Sequence, residues 1–321
     1  DIDIATDARP EQVMELAESA GLKAIGTGVE HGTVTIVAQH IPHEVTTFRR
    51  DVETDGRRAV VAFSDQVADD AARRDFTMNA LYARADGTVL DPTGEGLADL
   101  KARRLRFIGS AEDRIREDYL RILRFFRFHA WFAAAGFEAE TLAAISSLAT
   151  GLETISRERI GQEMRKLLAA PEASPELGAM DRAGVLRIIL PGADVANEAV
   201  LEVIEAGAGM PPGWLRRLAA LGGEDAPGRL RLSKVEARGW AERRDAVGSN
   251  EGTGALGYHL GETAAIDVLL LRGATFQTQP DPADFAAARV GAKAVFPVKA
   301  VDIPDLEGPA LGARLSELEI R

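Results

Sequence analysis

Polar and apolar residues alternate from the first position, in Asp1-Ile2-Asp3-Ile4-Ala5. This period of two predicts a strand, with Asp1 and Asp3 on one face and Ile2 and Ile4 turned to a core. The period then lengthens. Val13, Leu16, Ala17 and Ala20 form a helical stripe over Pro10–Ala20, with Pro10 in the first turn and Gly21 as the stop. Ala24–Gly28, Thr33–Ala38 and His43–Phe48 predict three short strands, the last two rich in β-branched residues. The polar stretch from Arg49 to Asp70, with Gly56 at its middle, predicts a mobile loop of functional length. Residues Ala72–Leu81 read as the middle of a helix, Leu97–Lys101 as a short helix and Arg104–Ile108 as a strand. Between Tyr119 and Phe128 everything but three arginines is apolar or aromatic, which predicts a mostly buried helix over 114–128. From Glu138 onward the pattern is helical throughout, and Ser156 caps a helix that Pro171 ends.

Composition bounds the reading. A chain of 321 residues exceeds one small core, so two or more domains are expected. An apolar share of 46% with 27% charged residues is that of a globular protein, and no apolar run reaches membrane-spanning length. Without cysteine there is neither disulfide nor Cys-ligated zinc, which accords with the cytoplasm. The net charge of −12 argues against blanket affinity for nucleic acid and leaves room for a local basic surface. A start on Asp1, already inside a motif, reads as a chain lacking an upstream segment.

Several positions carry candidate chemistry. Two carboxylates on one strand face can reach a pair of divalent ions roughly 3.5–4 Å apart, and hard oxygen ligands suit Mg²⁺ and phosphate chemistry. Asp1 and Asp3 are either such ligands or a solvated strand face. Glu44, on what should be a neighbouring strand, either completes a carboxylate trio or faces solvent. Arg73 and Arg74 can hold a triphosphate or serve as surface charge beside Asp75. Asp118 and Arg121, three apart on a helix, are neighbours that either fix packing or bind a ligand. Gly26-Thr27-Gly28 is not a dinucleotide fingerprint, because the next glycine is Gly32 and no helix follows. No Walker-type phosphate loop occurs in the sequence.

Taken in order, these segments resemble the class II tRNA nucleotidyltransferase/poly(A) polymerase family, which includes the CCA-adding enzymes. The matches are Asp1-Ile2-Asp3-Ile4-Ala5-Thr6, Glu44-Val45-Thr46-Thr47-Phe48-Arg49, Arg73-Arg74-Asp75-Phe76-Thr77-Met78-Asn79-Ala80-Leu81, and Glu117-Asp118 followed by Arg121 and Arg124. Arg157-Glu158-Arg159-Ile160 with Glu163 resembles a weaker fifth motif. The resemblance implies an α+β nucleotidyltransferase head, DNA polymerase β-like with a mixed sheet, followed by an all-α neck, body and tail. The expected segments are 1–108 for the head, 109–170 for the neck, 171–255 for the body and 256–321 for the tail. Asp1 and Asp3 would bind metal as catalytic residues, with Glu44 the third carboxylate and Mg²⁺ the cofactor. Arg74 would contact the nucleotide's phosphates or ribose. Asp118 and Arg121 would read its base, supported by Arg124 and Arg127. The implied activity is addition of C and A to the 3′ end of tRNA from CTP and ATP.

That assignment makes physical sense. Cytosine and adenine both present an amino donor beside a ring-nitrogen acceptor, which a carboxylate next to a guanidinium matches. Uracil and guanine reverse the order and leave buried polar groups unpaired, a discrimination of roughly 10⁴. The family places a Gly-Gly-x-Val-Arg-Asp element upstream of the aspartates, and the sequence does not contain it; poor nucleotide binding by residues 1–321 alone is the matching expectation. A poly(A) polymerase, or an enzyme adding only CC or only A, shares every motif. From another class, a non-catalytic RNA-binding module would keep the fold, although the intact acidic and basic residues disfavour it. A small-molecule nucleotidyltransferase has no use for the long helical half.

Overall fold

The computed structural model describes residues 3–54 and 59–320. Their contacts gather into two compact units, one running through Gly192 together with Gly228–Arg231, the other comprising Ala193–Pro227 and the chain from Leu232 on. The boundary expected at 255 falls within the first turn of a helix, Thr253–Phe276.

In the first unit, strand β1 (Asp3–Thr6), helix α1 (Pro10–Ser19) and strands β2 (Lys23–Gly28), β3 (Thr33–Ala38) and β4 (Ile41–Thr47) follow the expected order. They form a four-stranded mixed sheet in the order β1-β4-β3-β2. β1 lies parallel to β4, and the other neighbours are antiparallel. Helix α1 covers one face, where Val13 packs with Val34 and Val45. Ile4 shares that face through its register with Val45 but stays 43% exposed, contrary to its expected place in the core. The reason is position: α1 sits over the central strands, and β1 lies at the sheet edge.

The stretch from Arg49 to Asp70 is an antiparallel hairpin, β5 (Arg49–Thr54) and β6 (Ala59–Phe63), followed by α2 (Val67–Ala72), and not the loop expected. Residues 55–58, near its middle, lie outside the described residues. The helix expected over 72–81 is also absent. Helix α2 ends at Ala72, and a 3₁₀ turn occupies Thr77–Ala80. Asp75 explains the break, because its Oδ1 accepts from the Phe76 amide at 3.0 Å and from the Asn79 side chain at 2.9 Å. Such local bonds by Asp and Asn compete with helix formation. The expected strand at Arg104–Ile108 is reduced to one bridge, between Phe76 and Phe107.

A short hairpin (β7, Tyr82–Ala83; β8, Val89–Leu90) leads into α3 (Gly96–Ala102), α4 (Ala111–Glu117) and α5 (Leu120–Phe132). The single helix expected over 114–128 is therefore two, interrupted at Asp118–Tyr119. Buried Phe76, Phe107, Phe125 and Phe126 pack ring against ring beneath α5. Helices α6 (Ala139–Leu148), α7 (Arg157–Leu168), α8 (Ser174–Arg182) and α9 (Val185–Ile189) complete this unit's helical part. Ser156 caps α7, accepting from the Arg159 amide.

The second unit is helical: α10 (Val195–Gly207), α11 (Trp214–Leu221), α13 (Lys234–Val247), α14 (Thr253–Phe276), α15 (Pro282–Gly291) and α16 (Gly308–Ile320), with the short α12 (Ala226–Arg229) at its margin. Its core joins Leu201, Leu256, Val268, Leu270 and Ala288. Beside that core lies a buried ionic network. Arg216 donates to Glu205 at 2.7 Å and to Asp267 at 2.5 Å, Arg217 meets Glu205 and Glu202, and Arg243 donates to Asp267 at 2.8 Å. No helix among the described residues is long and apolar enough to cross a membrane.

Candidate active site

Two parts of the first unit carry the expected chemistry. On the sheet face away from α1, Asp3 stands in register with Glu44, and Glu44 with Thr35. Laterally paired residues point to the same side of a sheet, so both carboxylates share this face, and both are exposed. One row further along, the Thr33 and Thr46 hydroxyls lie 3.0 Å apart. Asp1 lies outside the described residues. Among the described residues no group of three or more potential ligands is gathered as a metal site. Asp3 and Glu44 supply two hard oxygen donors side by side, a donor set that fits a divalent cation such as Mg²⁺.

Strand β4 runs on from Glu44 toward Arg49, five residues away and on the order of 16 Å along an extended chain. Arg49 lines a cleft of about 490 Å³ with Arg73, Arg74, Asp118, Arg121, Arg124 and Arg159. Arg74, Asp118, Arg121 and Arg124 were expected at such a site, and one cleft holds all four.

Buried acids hold the arginines in place. Asp70, 4% exposed, accepts from Arg74 Nη2 at 3.1 Å, from the Tyr82 hydroxyl at 2.7 Å and from the Arg49 amide at 3.3 Å. Arg74 also donates to the Asn79 carbonyl and stands 4.9 Å over the Tyr82 ring. Burial alone lowers the Arg74 pKa, yet the neighbouring Tyr82 and Asp70 outweigh it, and the net shift is upward. Burial and the bond to Asp70 push the Tyr82 phenol up as well. Asp75 Oδ2 accepts from Arg124 Nε at 2.6 Å. The cleft lining thus carries more guanidinium groups than acids, with Asp75 and Asp118 within it and Asp70 buried beneath it, an arrangement suited to a polyanion.

Asp118 sits at the break between α4 and α5 with an extended backbone (φ −153°, ψ 105°). Its Oδ1 accepts from the Leu120 amide at 3.0 Å, satisfying one of the donors that open α5. Its Oδ2 accepts from Arg159 Nη2 at 2.6 Å. The break is held by close packing: a Cβ on Gly151 would come within 2.0 Å of the Tyr119 ring. Arg121 does not pair with Asp118. Its guanidinium donates to Glu117 and to the carbonyls of Arg114 and Arg73, the latter at 3.0 Å. Arg127 lies outside the cleft lining. It donates to buried Glu163 at 2.5 Å and stands 4.1 Å over the Phe128 ring.

Arg49 and Arg159 line the cleft without having been given a role there, and Arg73, read as a triphosphate contact or as surface charge, lines it too. Arg159 had a legible signal, since Ser156 as N-cap fixes it in the first turn of α7. Asp118 also had one, since Asp is a preferred residue where a helix opens.

The chain is similar to known proteins in sequence and in fold. Residues 1–106 match the profile of the poly A polymerase head domain, and residues 136–197 match the probable RNA and SrmB-binding site of polymerase A. A mitochondrial CCA tRNA nucleotidyltransferase 1 of Danio rerio is 41% identical over 244 residues, covering 74% of this chain and 56% of that protein. A CCA-adding enzyme of Geobacillus thermodenitrificans is 39% identical over 224 residues, covering 68% and 50%. The chain thus spans about half the length of these curated relatives. A crystal structure of the Bacillus stearothermophilus CCA-adding enzyme in complex with CTP superposes with a TM-score of 0.78 at 29% identity, covering 99% of this chain and 82% of that one.

Proposed function

Because the chain belongs to the tRNA nucleotidyltransferase/poly(A) polymerase family, we propose that it adds C and A nucleotides to the 3′ end of tRNA, using CTP and ATP with Mg²⁺. The observation that carries this reading is the arginine-lined cleft in which Arg74, Asp118, Arg121 and Arg124 converge. The relatives' names and the CTP complex support the choice of substrates.

In this reading Asp3 and Glu44, on the polar sheet face, would hold the divalent cations together with Asp1. When bound, Mg²⁺ supplies Lewis-acid stabilisation of charge on the reacting phosphate oxygens. Arg74, backed by Asp70 and Tyr82, takes the triphosphate, with Arg49 and Arg73 beside it. Asp118 offers an acceptor and Arg121 a donor to the cytosine or adenine edge. Arg121 is pre-positioned by its bonds to Glu117 and two carbonyls, so little side-chain entropy is lost on binding. Arg124 is held to Asp75, and Arg127 supports from behind by tying α5 to α7 through Glu163. The tRNA 3′-hydroxyl then attacks the α-phosphorus in line and gives up its proton to water, a new P–O bond forms, the α–β bridging bond breaks and pyrophosphate leaves.

The test is extension of tRNA transcripts ending before C, after C and after CC, each with one nucleotide at a time. Addition of C to the first two and a single A to the third is expected. Repeated addition of A would mark a poly(A) polymerase instead. No extension of any transcript, with intact binding of both RNA and CTP, would mark a non-catalytic module.

A further inference from the structure

On the first unit, in a lining that adjoins the arginine-lined cleft at Phe128 but shares no residue with it, three large apolar side chains stand open beside cations. Trp131, Phe132 and Leu100 are 43%, 47% and 47% exposed, and they line a concave site of about 200 Å³ with Arg103 and Arg104. Scattered exposed apolar residues are ordinary; a contiguous set in a concavity marks a contact surface. The rings are rigid. Trp131 donates its only polar hydrogen to the Lys166 carbonyl at 2.8 Å, so it presents only its apolar surface and π-system outward. Phe132 packs on Phe128, ring centroids 5.8 Å apart, and its carbonyl accepts from Arg103 Nε at 3.1 Å.

The charge at this site runs against that of the chain. Arg103, Arg104 and Lys166 are exposed on a protein of net charge −12. The one acid in the lining, Asp99, is 1% exposed; it accepts from Thr77 and Arg106 at 2.7 Å each and lies 3.9 Å from Arg104 Nη1, a long pairing that leaves the Arg104 side chain 48% exposed. Flat rings beside guanidinium groups are the chemistry by which proteins hold an unpaired base and its phosphate.

We propose that this Trp131–Phe132–Arg104 cleft is a second RNA contact, in which one unpaired base of the RNA substrate stacks on the rings while Arg103 and Arg104 take its phosphates. This rests on the RNA substrate of the preceding reading. It adds a site with no part in the chemical step.

The experiment measures the Kd of a tRNA transcript for the full chain and for Trp131→Ala, Trp131→Phe and the double variant Arg103→Glu/Arg104→Glu. Each variant's fold is verified by thermal melting followed by circular dichroism. Single-turnover addition at saturating tRNA is measured in parallel. Trp131→Ala and the double variant should each weaken binding about tenfold or more, the range of one stacked base. Trp131→Phe should stay within about threefold of the parent, and the saturated addition rate should not change. In a Trp214→Phe/Trp240→Phe background, Trp131 emission should be quenched by a single-stranded oligonucleotide, a readout that leaves the site itself intact. Parent-like Kd values in both weakening variants, or no quenching, overturn this inference while leaving nucleotide addition untouched. Failure of the parent chain both to bind tRNA and to extend it overturns the two readings together. If Trp131 emission responds to anionic vesicles, or to protein concentration as a dimer forms, and not to RNA, the occupant is a membrane or a second copy and the proposal fails.

Discussion

Asp118 Oδ2 lies 2.6 Å from the Arg159 guanidinium, joining the opening of α5 to the first turn of α7 across the cleft. Both side chains keep solvent contact, at 31% and 48% exposure, so the pair contributes at most about 1 kcal/mol to stability. Its consequence is orientation. With Oδ1 committed to the Leu120 amide, Oδ2 is the oxygen directed at the cleft, and Arg159 fixes its position. Arg159→Ala should lower kcat/KM for CTP and ATP by about tenfold, with a melting temperature near that of the parent. Asp118→Ala should lower it further and raise the relative use of UTP and GTP. Steady-state kinetics with all four nucleotides decides the matter; unchanged preference in both variants would make the pair purely structural.

The register between Asp3 and Glu44 gives a second expectation. Asp3→Ala and Glu44→Gln each remove a carboxylate charge from an exposed sheet face, where neither side chain carries core packing. Addition should fall by about 100-fold or more in each, while tRNA affinity stays within about twofold. Chelation with EDTA should abolish addition in the parent chain, and added Mg²⁺ should restore it. An Asp3→Ala chain with near-parent turnover would remove the carboxylate face from the mechanism.

Much of this site was legible because strands declare themselves locally. Alternation placed Asp3 on a polar face, and β-branched runs placed Glu44 on a strand beside it. What the pattern concealed was the partner of each charge. Asp118 and Arg121 read as neighbours on one helix, yet the helix breaks at Asp118 and hands it to Arg159, 41 residues later. The break depends on Tyr119 packing on Gly151, a contact with no periodic signature. Likewise Asp75 read as a surface partner for adjacent arginines. It is instead buried, ends the expected helix and anchors Arg124 from 49 residues away. Ile4 read as core because alternation reports a face without reporting whether a helix covers it. Arg49 carried too little local signal to be assigned, and the Ser156 cap that fixes Arg159 in the first turn of α7 says nothing of its reach to Asp118.

Arg127 separates support from contact. Its guanidinium is 13% exposed against Glu163 at 7%, so neither partner can be removed without stranding the other's charge. Arg127→Met should destabilise the fold by about 3–5 kcal/mol. At a temperature where the variant remains folded, its nucleotide preference should match the parent's. Urea titration and single-turnover assays with CTP and UTP test the two halves. Stability retained alongside altered preference would place Arg127 in contact with the nucleotide.

Glu198, in the helical second unit, should make stability depend on pH. It is 0% exposed, with both carboxyl oxygens buried. Burial first, then the nearby charge of Glu202 and Glu205, pushes its pKa from 4.5 to about 8, against the opposing pull of Arg217. At neutral pH the folded protein therefore keeps a proton here that the unfolded chain has lost. Below pH 4.5 both states are protonated and the group imposes no penalty. As pH rises from there toward 8, the unfolded state gains by ionising, and stability falls by up to about 1.4 kcal/mol per pH unit. Above 8 the folded state ionises too and the slope levels off. Glu198→Gln keeps the shape and removes the titration. Variant and parent should thus melt alike near pH 5, and the variant should gain steadily on the parent up to pH 8. Calorimetric melts at half-unit intervals would test this, and parallel curves across that window would show that Glu198 is ionised within the fold, paired with Arg217.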